Sequence, residues 1–316
     1  MKKALINLIC TFIPSKNLRV KIRNLFLHKD SMSEEKILQY FADNYHNEEV
    51  KKLGFGITSQ AYLVGDILFK FQRKKYDYSV NKIEKNNCDF ISERVDVEIP
   101  NITLHKDIKG LSYKILKGHV VKTLIDKSDV VKDVNVTLSS SADFLSQLHF
   151  IDLKEANGKI KRKCRLLSLK LEGVFLSLFF VKKYFSFKET FKIISMVFKS
   201  FFLKKDLSII HNDFSFYNSL LDDDGKVSGI IDWAGAAIEE RYWDLASFKV
   251  RLRNNKHFDI FINEYDKKIG KETDIKKINI LALLKSLDLL YTVYSMKNDG
   301  RIRMQINFIK DLIKAY

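Results

Sequence analysis

A chain of 316 residues with 46% hydrophobic and 30% charged side chains can build one large domain or two lobes sharing a cleft, and its apolar content excludes a wholly disordered polypeptide. Its net charge of +16 points to an anionic partner (nucleic acid, a membrane or a phosphorylated compound) unless it reflects only a lysine-rich composition. Three scattered cysteines, Cys10, Cys88 and Cys164, exclude a disulfide framework and a zinc cluster and suit a reducing compartment; two prolines and twelve glycines leave no low-complexity linker.

The first 28 residues are MKKALINLICTFIPSKNLRVKIRNLFLH. The uncharged stretch from Ala4 to Ser15 falls short of the roughly 20 apolar residues that span a bilayer. No small-x-small cleavage site follows, as a signal peptide requires. Instead Lys16, Arg19, Lys21 and Arg23 interleave with Leu18, Val20, Ile22, Leu25 and Phe26. Such a segment suits peripheral contact with an anionic membrane surface, here the inner face; a helix packed on the domain is the alternative. Residues 1–30 are therefore set apart as a basic amphipathic N-terminal segment.

Residues 31–117 read as a first, strand-rich lobe. In VKKLGFGITSQAYLVGDILFKFQ (50–72), Gly54 and Gly56 separate two β-prone runs, and Tyr62, Val64, Ile67, Phe69 and Phe71 alternate as strand residues do. Glycines there let backbone N–H groups approach phosphate oxygens, although a plain hairpin turn uses the same residues. Lys70 lies between Phe69 and Phe71, facing the other way, where an ammonium reaches nucleotide phosphates if a carboxylate holds it. Glu84 lies fourteen residues on, in a helical stretch with Val80, Ile83 and Asn87 on one side. The two form an ion pair or are unrelated surface charges.

Residues 118–316 form the second lobe. HNDFSFYNSLLDDDGKVSGIIDWAGA, from residue 211, reads as a polar loop, a strand, a DDDG turn and a second strand ending at Asp232. Phosphoryl transfer needs a carboxylate for the attacking hydroxyl and hard oxygen ligands for Mg²⁺. Asp213 suits the first task; Asn218 and Asp232 suit the second. Two polar loop ends and a strand-terminal acid without chemistry are the alternative, and His211 suits loop shaping better than proton transfer.

HNDFSFYN followed by IIDWAGA resembles the aminoglycoside phosphotransferase and choline kinase superfamily, whose signature is H-x-D-x-x-x-x-N followed by I-D-[WF]. GFGITSQAYLVGDILFKF and the Lys70–Glu84 spacing look most like the two-double-prime aminoglycoside kinases. FLSQLH (144–149) is similar to the superfamily's helix ending in Leu-His, and RYWDLA (241–246) to its Asp-Leu-Ala segment. The resemblance implies an α+β, two-lobed protein-kinase-like fold with a β-rich N-lobe and a mostly helical C-lobe. It implies ATP or GTP as phosphoryl donor, Mg²⁺ as cofactor, and a connector in YKILKG (113–118) whose backbone near Ile115 meets the base. Asp244 is similar to the residue that braces the catalytic loop. The short interval between Asp232 and Asp244 leaves no room for a protein-kinase activation segment.

Family membership does not fix the acceptor. Residues 155–206, before the catalytic loop, carry thirteen lysines and arginines against four acids. That charge repels a polycationic aminoglycoside and suits a cell-envelope sugar or lipid-linked glycan. GVFLSLFFVKKYFSFKETFKIISMVFKSFFLKK interleaves phenylalanines with lysines, as an interfacial helix does and as a buried helix with snorkelling lysines also does. The rest, from 255, reads as three core-packing helices with a turn at Asn298-Asp299-Gly300; Glu264, Asp266 and Asp288 are acids that an acceptor cleft would use. The expected protein is a cytoplasmic small-molecule or glycan kinase. An aminoglycoside 2''-type resistance enzyme and a catalytically inactive kinase-fold scaffold are the alternatives. Nucleic-acid binding rests on charge alone and is not expected.

Overall fold

The computed structural model describes residues 33–46, 48–55, 59–72, 78–121, 129, 131–162, 182–295 and 298–316. The N-terminal segment 1–30, Gly56 and the middle of the basic insert lie outside them. The chain divides into two compact units. One comprises residues up to Lys117 with Gly229–Gly235; the other comprises Gly118–Ser228 with Ala236–Tyr316.

The first unit opens with α1 (Glu34–Asn44), capped by the Ser33 hydroxyl, which accepts the Lys36 N–H. Five antiparallel strands follow in the spatial order β1-β2-β3-β5-β4: β1 (Val50–Phe55), β2 (Ser59–Val64), β3 (Ile67–Gln72), β4 (Thr103–His105) and β5 (Gly110–Lys114). Ile37 and Phe41 of α1 pack with Tyr62, Val64, Phe69 and Phe71 in a dry aromatic core, the Phe41 and Phe69 rings 5.1 Å apart. Strand alternation turns Lys70 away from that core.

Between β3 and β4 runs α2 (Ser79–Ile91). Of the side read from the sequence, Val80 and Ile83 are half-buried and Asn87 is buried; the buried face carries Asn81, Glu84, Asn87, Cys88, Phe90 and Ile91. The polar members are buried because each has a partner. Asn81 bonds Gln72 and the Lys109 carbonyl, Glu84 bonds Lys70, and Asn87 bonds the Trp233 carbonyl.

The second unit begins at Gly118, whose φ of +119° only glycine adopts readily; a Cβ there would lie 2.8 Å from the Leu221 carbonyl oxygen. β6 (His119–Val120), β8 (Ser219–Leu221) and β9 (Val227–Ile230) form one small sheet, and β7 (Leu207–Ile210) pairs antiparallel with β10 (Ala237–Glu240) to form another. Around them stand α3 (Val134–Phe150), α4 (Phe187–Lys199), α5 (Tyr242–Leu252), α6 (Asn255–Ile269), α7 (Ile275–Ser295) and α8 (Asp299–Ala315). α3 packs along α6, and α5 along α7, with α5 buried on nearly every side. The Asn298 side chain caps α8 by accepting the Arg301 N–H at 3.0 Å, so Asp299 and Gly300 are the first turn of a helix, where the sequence suggests a bare turn.

Candidate active site

In the first unit, β3 presents the Lys70 ammonium 3.0 Å from both carboxylate oxygens of Glu84 and 2.9 Å from Asp232 Oδ1. Burial alone would lower the lysine pKa, but the Glu84 and Asp232 carboxylates hold it well above its ordinary value, so the side chain is a permanent cation. Asp232 reaches this position by a fixed turn. The Ile230 N–H donates to the Glu98 carbonyl, the Trp233 indole N–H donates to the Ile230 carbonyl, and Asn87 Nδ2 donates to the Trp233 carbonyl. Asp232 itself has a φ of +67°, a left-handed conformation that aspartate tolerates better than most residues.

Gly54 lies in β1 opposite Ala61, just after a register shift that bulges the strand at Leu53. Gly56 falls outside the described residues. Ile115 follows β5, and its N–H donates to the Asp66 carbonyl at 2.9 Å, so that group is already engaged within the unit.

In the second unit, β7 delivers the chain into the loop 211–218. The buried Asp244 carboxylate accepts the N–H of His211 and that of Asn212, both at 2.7 Å. Asn212 takes a left-handed φ of +72°, and its side-chain oxygen accepts the Trp243 indole N–H at 2.8 Å. Behind Asp244 lies His149, with Nε2 3.5 Å from Oδ2 and Nδ1 2.7 Å from the Tyr265 hydroxyl; that hydroxyl accepts from Arg241. Burial lowers the His149 pKa against the pull of Asp244, which leaves the ring neutral at pH 7. His211 Nδ1 accepts the Asp213 N–H at 3.4 Å, a contact within the loop.

On this brace Asp213 stands half-exposed. Asn218 Nδ2 donates to the Asp213 carbonyl at 2.9 Å, which closes the loop and turns the Asn218 amide oxygen elsewhere. Two cations flank the Asp213 carboxylate: Arg251 of α5 at 3.4 Å and Lys285 of α7 at 3.7 Å. Lys285 is only 7% exposed and also lies over the Trp243 ring. Neither cation stands out in the sequence reading. A signal for Arg251 exists, since it follows Asp244 by seven residues and shares its helix face. Of the acids noted in the C-terminal helices, Glu264 accepts from Lys267, and Asp266 bonds Thr273 at the end of α6.

Residues 192–263 match the sequence profile of the phosphotransferase enzyme family. The chain is similar to a solved GDP complex of an aminoglycoside 2'-phosphotransferase-IIIa at 15% identity and a TM-score of 0.69, covering 90% of this chain and 99% of the other. It is similar to the GDP and kanamycin complex of APH(2")-IIia at 18% identity and a TM-score of 0.67, over 89% and 99% of the two chains. A macrolide 2'-phosphotransferase type I matches at 13% identity and a TM-score of 0.66, again over 89% and 99%. The fold is the α+β, kinase-like fold of these proteins, with its sheet in the N-terminal region and its helices in the C-terminal region.

Proposed function

The chain carries the phosphotransferase family's segment at residues 192–263 on a kinase-like fold, and from this premise we propose that it moves the γ-phosphoryl group of ATP or GTP to a hydroxyl of a small molecule or glycan. The observation that carries this reading is the bonding of Lys70 to Glu84 and Asp232 at 3.0 and 2.9 Å. An ammonium fixed and kept protonated in this way is what a phosphate anchor requires.

In this reading residues 31–117 bind the nucleotide and 118–316 hold the catalytic loop and the acceptor. Lys70 anchors the phosphates while Glu84 retains the ammonium. The glycine pair Gly54 and Gly56 lets backbone N–H groups cover the phosphates. The segment around Ile115 meets the base through groups other than the Ile115 N–H, which Asp66 occupies.

The donors suit Mg²⁺: Asn218 offers an amide oxygen, its nitrogen being committed to the Asp213 carbonyl, and Asp232 offers a carboxylate. When bound, Mg²⁺ supplies charge neutralisation on the phosphates. Asp213 accepts the proton of the acceptor hydroxyl. The hydroxyl oxygen bonds to the γ-phosphorus as the bond to the departing nucleoside diphosphate breaks. Asp244 acts by positioning, fixing the loop so that Asp213 is aimed before the acceptor arrives.

Arg251 and Lys285 beside Asp213 favour a neutral or anionic acceptor, such as a cell-envelope sugar, over a polycation. A second reading, an aminoglycoside 2''-type phosphotransferase conferring resistance, is favoured by the kanamycin complex of a structural neighbour. Either reaction belongs in the cytoplasm, where nucleoside triphosphate is available.

The test is transfer of γ-labelled phosphate from ATP and from GTP by the wild type and Asp213→Ala. One reaction holds envelope glycolipid extract and another an aminoglycoside panel. Label in the glycolipid that disappears with Asp213→Ala is the expected result. Label in the aminoglycosides alone establishes the second reading. Nucleotide binding with no Asp213-dependent label in either makes the protein a non-catalytic kinase-fold scaffold.

A further inference from the structure

Helix α4 has two apolar faces, and among the described residues only one of them is covered. Ile193, Met196 and Val197 are buried and pack toward α7 and α8. On the opposite side Phe187, Phe191, Ile194 and Phe198 follow one another at helical spacing, and Phe202 extends the row through the turn Ser200–Phe202. These five side chains are between 37% (Ile194) and 89% (Phe187) exposed. The row is about 22 Å long at the helical rise per residue. A stripe of four exposed phenylalanines exceeds the scattered apolar exposure of an ordinary monomer surface.

Charge identifies what this stripe fits. Residues 182–205 hold seven lysines against one acid, Glu189. Lys183, Lys188, Lys199, Lys204 and Lys205 are exposed. Glu189 is committed to the capping box with Ser186 and lies 3.8 Å from Lys310, so it does little to offset them. A second copy of the chain meeting this face symmetrically would bring like charges together. An anionic bilayer offers what both components need: phosphates for the lysines and an acyl boundary for the rings. At 13 residues α4 is too short to cross a membrane, and no described helix is long and apolar enough to do so.

We propose that α4 and the turn after it lie flat on an anionic lipid surface, with Phe187, Phe191, Ile194, Phe198 and Phe202 entering the headgroup–acyl boundary and the flanking lysines at the lipid phosphates. The docking goes beyond the phosphotransferase reading and does not depend on it, since lipid contact needs none of Lys70, Asp213 or Asp232.

The test is co-sedimentation of the full-length chain with vesicles of phosphatidylcholine alone and with about a third phosphatidylglycerol. Wild type binds the anionic vesicles at least about tenfold more tightly, and added salt weakens the binding. Phe191→Asp/Phe198→Asp and Lys204→Glu/Lys205→Glu each lose at least about tenfold, although residues 1–32 are unchanged. Both pairs are exposed, so thermal melting and nucleotide binding stay at wild-type values. Separately, Phe191→Trp gives a blue-shifted emission on adding anionic vesicles. Equal binding by wild type and the Phe191→Asp/Phe198→Asp variant, or an unshifted Trp signal, overturns the proposal. So does a chain that ignores vesicles but self-associates, or binds a soluble protein, through these phenylalanines.

Discussion

Lys70 and Asp232 stand 162 residues apart in the sequence and 2.9 Å apart in space. The contact joins the middle of β3 to the turn that follows β9, and Glu84 takes the same ammonium from the other side at 3.0 Å. One cation thus holds two carboxylates of unlike exposure: Glu84 is buried, whereas the Asp232 side chain is 44% exposed. The buried carboxylate suits a structural counter-ion, and the exposed one can exchange partners.

Lys70→Ala leaves Glu84 buried without its cation. Urea unfolding should show a loss of about 3 kcal/mol, part of it restored in Lys70→Ala/Glu84→Ala. Transfer kinetics should show kcat/KM for the nucleotide falling roughly 100-fold. A Lys70→Ala protein with wild-type stability and nucleotide kinetics would remove the residue from phosphate anchoring.

Asp213→Ala takes the proton acceptor from the hydroxyl and should lower turnover by about 10² to 10⁴ while nucleotide affinity, read by titration calorimetry, stays as in the wild type. Asp213 also faces Lys285 and Arg251, so Asp213→Asn is the control that preserves side-chain shape. If either variant turned over at the wild-type rate, the proton would be going elsewhere.

The Arg251 guanidinium is partly exposed beside Asp213, which makes it the residue through which acceptor charge is felt. Arg251→Glu should lower kcat/KM for a carboxylate- or phosphate-bearing sugar by roughly tenfold and raise it for kanamycin. A change of equal size for both acceptors would mean that Arg251 serves Asp213 alone.

The Asp244 carboxylate accepts two consecutive backbone N–H groups, those of His211 and Asn212. Asp244→Ala leaves both buried donors without that carboxylate, and stability should fall by about 3 kcal/mol. Turnover should fall further than nucleotide affinity, because the displaced loop carries Asp213. If only stability changed, with kcat intact in the folded fraction, Asp244 would have no part in aiming the loop.

How far this geometry is legible in the sequence differs from residue to residue. Phe69, Lys70 and Phe71 alternate, so a lysine facing away from an aromatic core follows from strand geometry, and the structure brings Glu84 to it. The buried face of α2 does not follow. Asn81, Glu84 and Asn87 are buried because of partners on distant segments, and apolar periodicity cannot register a buried polar residue whose partner is not local. Arg251 and Lys285 meet at Asp213 only through the packing of α5 against α7, a tertiary relation. In α4 the pattern supplies two apolar arcs, and the sequence does not tell which one the neighbouring helices cover.

His149 makes the same brace sensitive to acid. Its neighbours are Tyr265, Asp244, Arg241 and Asp206; burial, aided by Arg241, lowers its pKa from the ordinary 6.5, and the two carboxylates only partly oppose this. Below about pH 6.5 the unfolded chain takes up a proton that the folded chain does not. The His149 contribution is therefore fully present above that pH and is lost as pH falls toward the folded pKa, at no more than about 1.4 kcal/mol per pH unit. His149→Gln keeps a polar group toward the Tyr265 hydroxyl and removes the titration. Urea midpoints measured from about pH 7 to about pH 5 should fall less steeply for the variant than for wild type. Parallel slopes would assign the acid sensitivity to other groups and leave His149 as packing for Asp244.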